Sequence, residues 1–254
     1  MNENEKKIWI TGASSGIGKA LALKFANNGW KVAASARREN LLNDLKKSNP
    51  NIFPFPLDVK DEKLTQNVFK NIVEKFKSLD ICVFCTGIHD PESEKKISSE
   101  KIREIMETNF FGTLNSVMAV NAYFKEKKNG HISIVSSVAG YRGLPAAAGY
   151  CASKSALISL AESLYFDFKR HNVRVSLINP GFIKTPMTDK NKFPMPMIKS
   201  AEFAAEKIFI GLTEKNAFEI HFPIAFTMLM KLLKIMPNWL YFLLVKKGMK
   251  TIKY

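Results

Sequence analysis

Ser137, Tyr150 and Lys154 are side chains whose types and spacing can move a proton onto or off a carbinol oxygen. Tyr150 and Lys154 are four residues apart, so on a helix they project from one face. A free phenol has a pKa of about 10, too weakly acidic to share protons readily near neutrality. An ammonium about 4 Å away, at an effective dielectric near 20, favours the phenolate by roughly 4 kcal/mol, or up to ~3 pKa units before desolvation opposes it. A tyrosine so placed can act as acid or base. Ser137 would hydrogen-bond the substrate oxygen and hold it against the phenol.

Near the N-terminus, Thr11-Gly12-Ala13-Ser14-Ser15-Gly16-Ile17-Gly18 can seat a dinucleotide. The run follows the apolar strand pattern Ile8-Trp9-Ile10. It precedes Ile17, Ala20, Leu21, Leu23, Lys24 and Phe25 at helical spacing, with Gly29 suited to the helix end. A phosphate-binding turn requires that strand-to-helix context. Gly12 allows the tight turn, Gly16 lets the backbone approach a pyrophosphate, and Gly18 lets the helix pack closely. Unpaired N–H groups at the helix N-terminus face the anion, and Ser14, Ser15 and Ile17 are expected contacts.

The next strand, residues 31–36, runs into Arg37 and Arg38. An acidic residue near this point would bond ribose hydroxyls, whereas an arginine accommodates a 2′-phosphate, so NADP is favoured over NAD. The alternative is a solvated helix start, with Glu39 pairing either arginine. Asp58 ends another strand pattern, made irregular or edge-like by Pro54 and Pro56. It would accept from the adenine amino group, with Val59 beside it, or simply cap the helix beginning near Asp61.

The elements that must position the proton-transfer set are a buried strand over residues 131–137 and a long helix opened by Tyr150. The strand passes into the small-residue turn Val138-Ala139-Gly140, and the helix carries Ala152, Ala156, Leu157, Leu160, Ala161 and Leu164 in register.

With these marks the chain resembles the short-chain dehydrogenase/reductase family over roughly residues 7–187. The residues that carry the likeness are the glycine run, Asp58, Asn109, Ser137, Tyr150-x3-Lys154 and Asn179-Pro180-Gly181. The resemblance implies that Tyr150 is the general acid/base and that Lys154 also grips the nicotinamide ribose. It implies that Ser137 orients the carbonyl and that Asn109 holds a water relaying protons through Lys154. Ile183 and Thr185 would contact the nicotinamide, and Gly87 the cofactor; no metal is needed. Asn109 could instead cap or kink its helix. Ser136 is the rival to Ser137, which the thirteen-residue offset to Tyr150 favours. One departure stands out: Phe84-Cys85-Thr86-Gly87 replaces the family's usual Asn-Asn-Ala-Gly stretch.

A length of 254 residues suits one α/β domain. The expected fold is a single Rossmann-type, doubly wound parallel sheet with helices on both faces and a C-terminal apolar helical extension. Residues 1–221 would form the dinucleotide-binding and catalytic domain, with residues 222–254 extending it. Residues 1–7 are charged rather than apolar, without a secretory pattern. Cys82, Cys85 and Cys151 suit a reducing cytosol. Cys82-x-x-Cys85 has a redox or zinc spacing, but on a strand its side chains point to opposite faces. None of the four histidines falls in a ligand-like cluster, and each reads as structural. The net charge of +15 comes from scattered lysines without a nucleic-acid-reading motif, so no nucleic-acid partner is expected.

From Phe222 onward, apolar runs alternate with lysines and acidic residues are absent. Lys231, Lys234 and Pro237 interrupt the run too soon for a membrane span. This tail suits an amphipathic helix pair on an anionic membrane, or a wall packed on its own domain or a partner subunit. Phe193, Met195, Met197 and Ile198 would form an adaptable lid for apolar ligands. The expected activity is reversible hydride transfer between NADP(H) and a hydrophobic, lipid-like carbonyl or secondary alcohol. A cytoplasmic homodimer or homotetramer is expected, with peripheral membrane contact through residues 222–254 standing as the alternative to burial of that tail. The alternatives are a nucleotide-binding scaffold and a membrane-surface protein with little turnover.

Overall fold

The computed structural model describes residues 5–94, 96–215 and 217–251. Its strands are β1 (Lys7–Thr11), β2 (Lys31–Ala36), β3 (Ile52–Pro56), β4 (Ile81–Phe84), β5 (Gly130–Val135), β6 (Val173–Pro180) and β7 (Glu219–Phe222). All pair in parallel, in the order β3-β2-β1-β4-β5-β6-β7. The first helices are α1 (Gly16–Asn27), α2 (Glu39–Ser48), α3 (Glu62–Phe76), α4 (Pro91–Glu94) and α5 (Ser99–Met106). They are followed by α6 (Gly112–Lys127), α7 (Ala148–Lys169), α8 (Ala201–Thr213), α9 (Ile224–Ile235) and α10 (Asn238–Thr251). This is the doubly wound arrangement that the sequence predicts.

Strand β1 shows why the sheet needs cover on both sides: all five of its residues are buried. Its alternation sends Ile8 and Ile10 to a core shared with Leu21 and Phe25 of α1, Leu42 of α2 and Ile208 of α8. Trp9 goes to the other core, with Phe69 of α3, Val120 of α6 and Leu157 of α7. Strand β3 carries Pro54 and Pro56 and lies at the sheet edge, paired only with β2, where missing N–H donors cost no ladder bonds. Asp61 caps α3 by accepting from the Leu64 amide, which leaves Asp58 free of that duty.

The tail packs with one face on its own domain. Phe226 and Met230 enter the core that holds Trp9, and Phe226 lies against Phe182 at 5.4 Å between centroids. Arg142, from the loop before α7, donates through Nη1 to the Leu233 carbonyl at 2.7 Å and the Met236 carbonyl at 2.6 Å. Its guanidinium also lies 4.0 Å from the Tyr241 ring centroid. One arginine therefore satisfies the open carbonyls that end α9 and fixes the start of α10.

Candidate active site

A cleft of about 410 Å3 opens at the carboxyl ends of the strands, where the sheet order reverses between β1 and β4. The glycine run, Arg37, Arg38, Asp58 and Val59 line one end. Gly87, Ser137, Tyr150, Lys154, Ile183 and Thr185 line the other. Asn109 is absent from this wall and fully buried behind it.

Gly16 has φ +54, in the left-handed region, and a Cβ there would meet Thr185 Cγ2 at 3.1 Å. Gly18 has a different reason: a Cβ would stand 2.4 Å from the Gly12 carbonyl oxygen, so only glycine lets α1 follow the turn so closely. Ser15 precedes α1 without a side-chain cap, leaving first-turn amides open to an anion. Arg38 donates through Nη2 to the hydroxyls of Ser14 and Ser15, each at 2.9 Å. Its guanidinium is thereby drawn over the phosphate turn. Asp58 accepts from the Lys60 amide at 3.1 Å in a local turn and borders the cleft. A dinucleotide fits this end: an open cradle, a helix N-terminus and an arginine at its mouth.

Tyr150 and Lys154 share one face of α7, and the Lys154 Nζ lies 5.8 Å from the Tyr150 ring centroid. The ammonium does not dominate the phenol as simple Coulomb reasoning predicts. Burial pushes the Tyr150 phenol up to about 12, partly offset by a hydrogen bond from Ser137. Lys154 instead donates to the Val135 carbonyl at 2.9 Å, and burial lowers its pKa to about 8. Ser137 accepts from the Ala139 amide at 3.1 Å, which leaves its own proton for the phenol oxygen. Ser136 has its hydroxyl committed to the Lys154 carbonyl at 2.7 Å, tying α7 to the end of β5.

Asn109 sits in a π-helical turn, Glu107–Phe111, between α5 and α6. Its Oδ1 accepts from the Ile88 amide at 2.7 Å, and its Nδ2 donates to the Ile88 carbonyl at 3.0 Å and to Ser153 Oγ at 3.1 Å. Asn109 thus grips the segment beyond β4 from behind, with Oδ1 3.6 Å from where a Gly87 Cβ would stand. That grip, with a bond from the Cys85 amide to Thr11 Oγ1 at 3.2 Å, holds the segment where the family's paired amides are missing. Cys82 and Cys85 pack into the cores on opposite sides of the sheet, and Cys85 lies past the end of β4, on the cleft wall.

Two residues of this site escaped the sequence reading. His89 stacks on the Tyr150 ring at 4.3 Å between centroids and lines the cleft, so it is not merely a core histidine. Its Nδ1 lies 2.8 Å from Glu94 Oε1. Glu94 Oε2 accepts from the amides of Gly149 at 2.8 Å and Tyr150 at 3.2 Å. Helix α7 has Ala147 at its N-cap position, with no side-chain cap of its own, and a carboxylate 55 residues earlier does the work. The alanines at 146–148 were the only sequence signal that the cap comes from elsewhere. Glu94→Ala should therefore lower unfolding stability by about 2 kcal/mol, read by urea denaturation, because a buried and a part-buried amide at the start of α7 lose their carboxylate acceptor. An unchanged midpoint would refute the cap.

A lid crosses the cleft over residues 187–198. Met187, Thr188 and Lys190 line the opening, and Lys190 Nζ comes within 3.9 Å of Oδ2 of Asp90, the residue after His89 of the cleft lining. Phe193 packs on Phe182, whereas Met197 and Ile198 face solvent rather than sealing the lid.

Comparison with known proteins agrees with this geometry. The sequence profile of the short chain dehydrogenase family matches residues 6–194. An uncharacterized oxidoreductase of Myxococcus xanthus is 35% identical over 236 residues, covering 91% of this chain and 93% of that protein. The 3-oxoacyl-[acyl-carrier-protein] reductase FabG of Thermotoga maritima is 34% identical over 210 residues, covering 81% and 83%. The crystal structure of a Burkholderia cenocepacia short chain dehydrogenase in complex with NADP superposes with a TM-score of 0.77 at 27% identity, covering 90% of this chain and 93% of that one. The chain belongs to the short chain dehydrogenase family, oxidoreductases that act on CH–OH groups with a nicotinamide dinucleotide.

Proposed function

We propose that this protein interconverts a hydrophobic carbonyl compound and its secondary alcohol with NADP(H), working mainly as a reductase. The observation that carries the reading is the convergence of Ser137, Tyr150 and Lys154 on one cleft with the glycine cradle. When bound, the nicotinamide supplies or accepts the hydride. Ser137 and Tyr150 bracket the position of a substrate oxygen with two hydroxyls. A phenol near 12 stays protonated at neutral pH and is ready to donate, which suits reduction. Lys154 near 8 stays mostly cationic there and stabilises the phenolate left behind. As the buried amine closest to the ring, it is also the group to grip the cofactor ribose. Asn109 serves the site by fixing Ile88 through both its amide atoms, and it would hold the water that relays protons through Lys154.

The Arg38 guanidinium beside Ser14 and Ser15 supports a 2′-phosphate and hence NADP(H), with Arg37 alongside. Phe182, Phe193 and Phe226 support an apolar substrate, because their rings pack edge-on and tilted against one another behind the Pro180-Gly181 wall, with Phe226 against Gly181. Residues 222–254 are an extension of the same domain, since the inner face of α9 completes its core. Exposed Phe111, Met118 and Phe166, on and beside α6 and α7, support a homodimer or homotetramer through residues 110–125 and 150–170. The protein would work in the cytoplasm, with residues 222–254 at a membrane surface.

The reading is tested by following NADPH and NADH oxidation against a panel of apolar ketones. Arg38→Ser should raise KM for NADPH about ten- to a hundred-fold while leaving NADH nearly unchanged, the worth of one charge-assisted phosphate contact. Equal losses with both cofactors would remove the NADP assignment.

A further inference from the structure

Nine of the sixteen large hydrophobic side chains exposed among the described residues lie on α9 and α10. On α9, Phe226, Thr227 and Met230 are buried, while Met228, Leu229, Leu232 and Ile235 are exposed. On α10, Tyr241 is buried, and Trp239, Phe242 and Leu243 are exposed. Arg142 bonds both the end of α9 and the start of α10, tying the two helices together at their junction. A concentration of apolar side chains this large on a soluble face marks a contact surface.

Charge decides what covers it. Residues 222–254 hold six lysines and no aspartate or glutamate, within a chain of net charge +15. Lys234 and Lys246 stand exposed beside the apolar positions, and Lys231 reaches back at 2.5 Å to Glu219. A second copy docking on this face would bring together two surfaces that carry lysines and have no acidic residue of their own segment to offset them. An anionic bilayer satisfies both halves: the acyl region takes the apolar side chains and the headgroups take the ammonium groups. None of the described helices is long and apolar enough to cross a membrane, so the pair would lie flat.

We infer that the outer face of α9 and α10 docks this protein on an anionic lipid bilayer and presents the active-site cleft to substrates dissolved there. The inner face of α9 is the link. Phe226 stands where a Cβ on Gly181 would meet it at 2.8 Å, and Gly181 lines the cleft. One helix would thus face lipid outside and pack on the Gly181 wall of the cleft inside. The inference rests on the proposed hydride transfer only for what the docked enzyme consumes; the docking itself does not.

The experiment uses the full chain with vesicles of phosphatidylglycerol mixed into phosphatidylcholine, and of phosphatidylcholine alone. Binding should be about ten-fold or more tighter to the anionic vesicles and weaken at high salt. Trp9 and Trp30 are buried, so a blue shift of tryptophan emission on binding reports Trp239. Leu232→Glu and Phe242→Glu alter exposed side chains, so they should leave folding intact yet cut vesicle binding at least about ten-fold. Leu64→Glu, on α3, should change nothing. Equal binding to both vesicle types, or undiminished binding by the two variants, would overturn the inference. So would a wild-type dimer in light scattering that these variants dissociate, with no vesicle bound. NADPH-dependent reduction of a water-soluble ketone, without vesicles, is read separately. Its absence from the wild type would defeat the hydride-transfer reading and leave the docking result standing.

Discussion

Tyr150→Phe should lower kcat for ketone reduction by about a thousand-fold, within the range that a positioned general acid contributes. The substitution removes one oxygen from a half-buried ring on the cleft wall. The His89 stack at 4.3 Å and the Glu94 bonds to the α7 backbone do not involve that oxygen, so the fold should survive. KM for NADPH should move little, because the cradle and Arg38 lie at the other end of the cleft. The loss therefore belongs in kcat, as expected for a group that acts in the transition state. Steady-state kinetics with NADPH and one apolar ketone checks this. Equal rates for variant and wild type would mean that the protein keeps a nucleotide pocket without using this phenol, the scaffold alternative.

Lys154→Met should abolish turnover and make the protein more stable. Lys154 is 4% exposed, and its Nζ bonds a neutral carbonyl. Burial therefore lowers its pKa from 10.5 to about 8. For a cation the sign is clear. Between pH 8 and 10.5 the unfolded chain binds the proton and the folded chain does not, so this group's contribution to stability rises with pH across that window. Below about pH 8 the cost is fully present, on the order of 3 kcal/mol. Loss of the bond to Val135 offsets part of the gain, about 1 kcal/mol. The net result at pH 7 should be a thermal midpoint a few degrees higher, with the advantage shrinking as pH rises past 8. Calorimetry at pH 7 and pH 10 checks both statements. A variant less stable than wild type at pH 7 would show that the amine is not a burden. In the wild type, kcat/KM for reduction should fall as pH rises through about 8, where the same amine loses its charge.

The fold and much of the site can be traced to local pattern. The glycine run between a strand and a helix needs only neighbours in sequence, and Gly18 shows why: its constraint is the carbonyl of Gly12, six residues away. Tyr150 and Lys154 share a face because helical geometry makes them do so. Strand β3 declared itself an edge through its two prolines. The phenol's acidity did not follow from spacing, because it depends on how much water the fold removes. A Coulomb argument from two side chains omits that quantity, and burial outweighed the expected lowering.

Residue types and their intervals thus determined which chemistry this chain carries, since glycine turns, helix faces and strand alternation are short-range properties of the backbone. Folding decided what long-range contact and solvent exclusion control. Glu94 arrives at a helix 55 residues onward, His89 stacks on the Tyr150 ring, and Asn109 turns to grip Ile88 beyond β4. The tail became two-faced in the same way, its inner side closing the core while its outer side faces solvent. No interval along the chain encodes which face meets which neighbour; only the packed structure does.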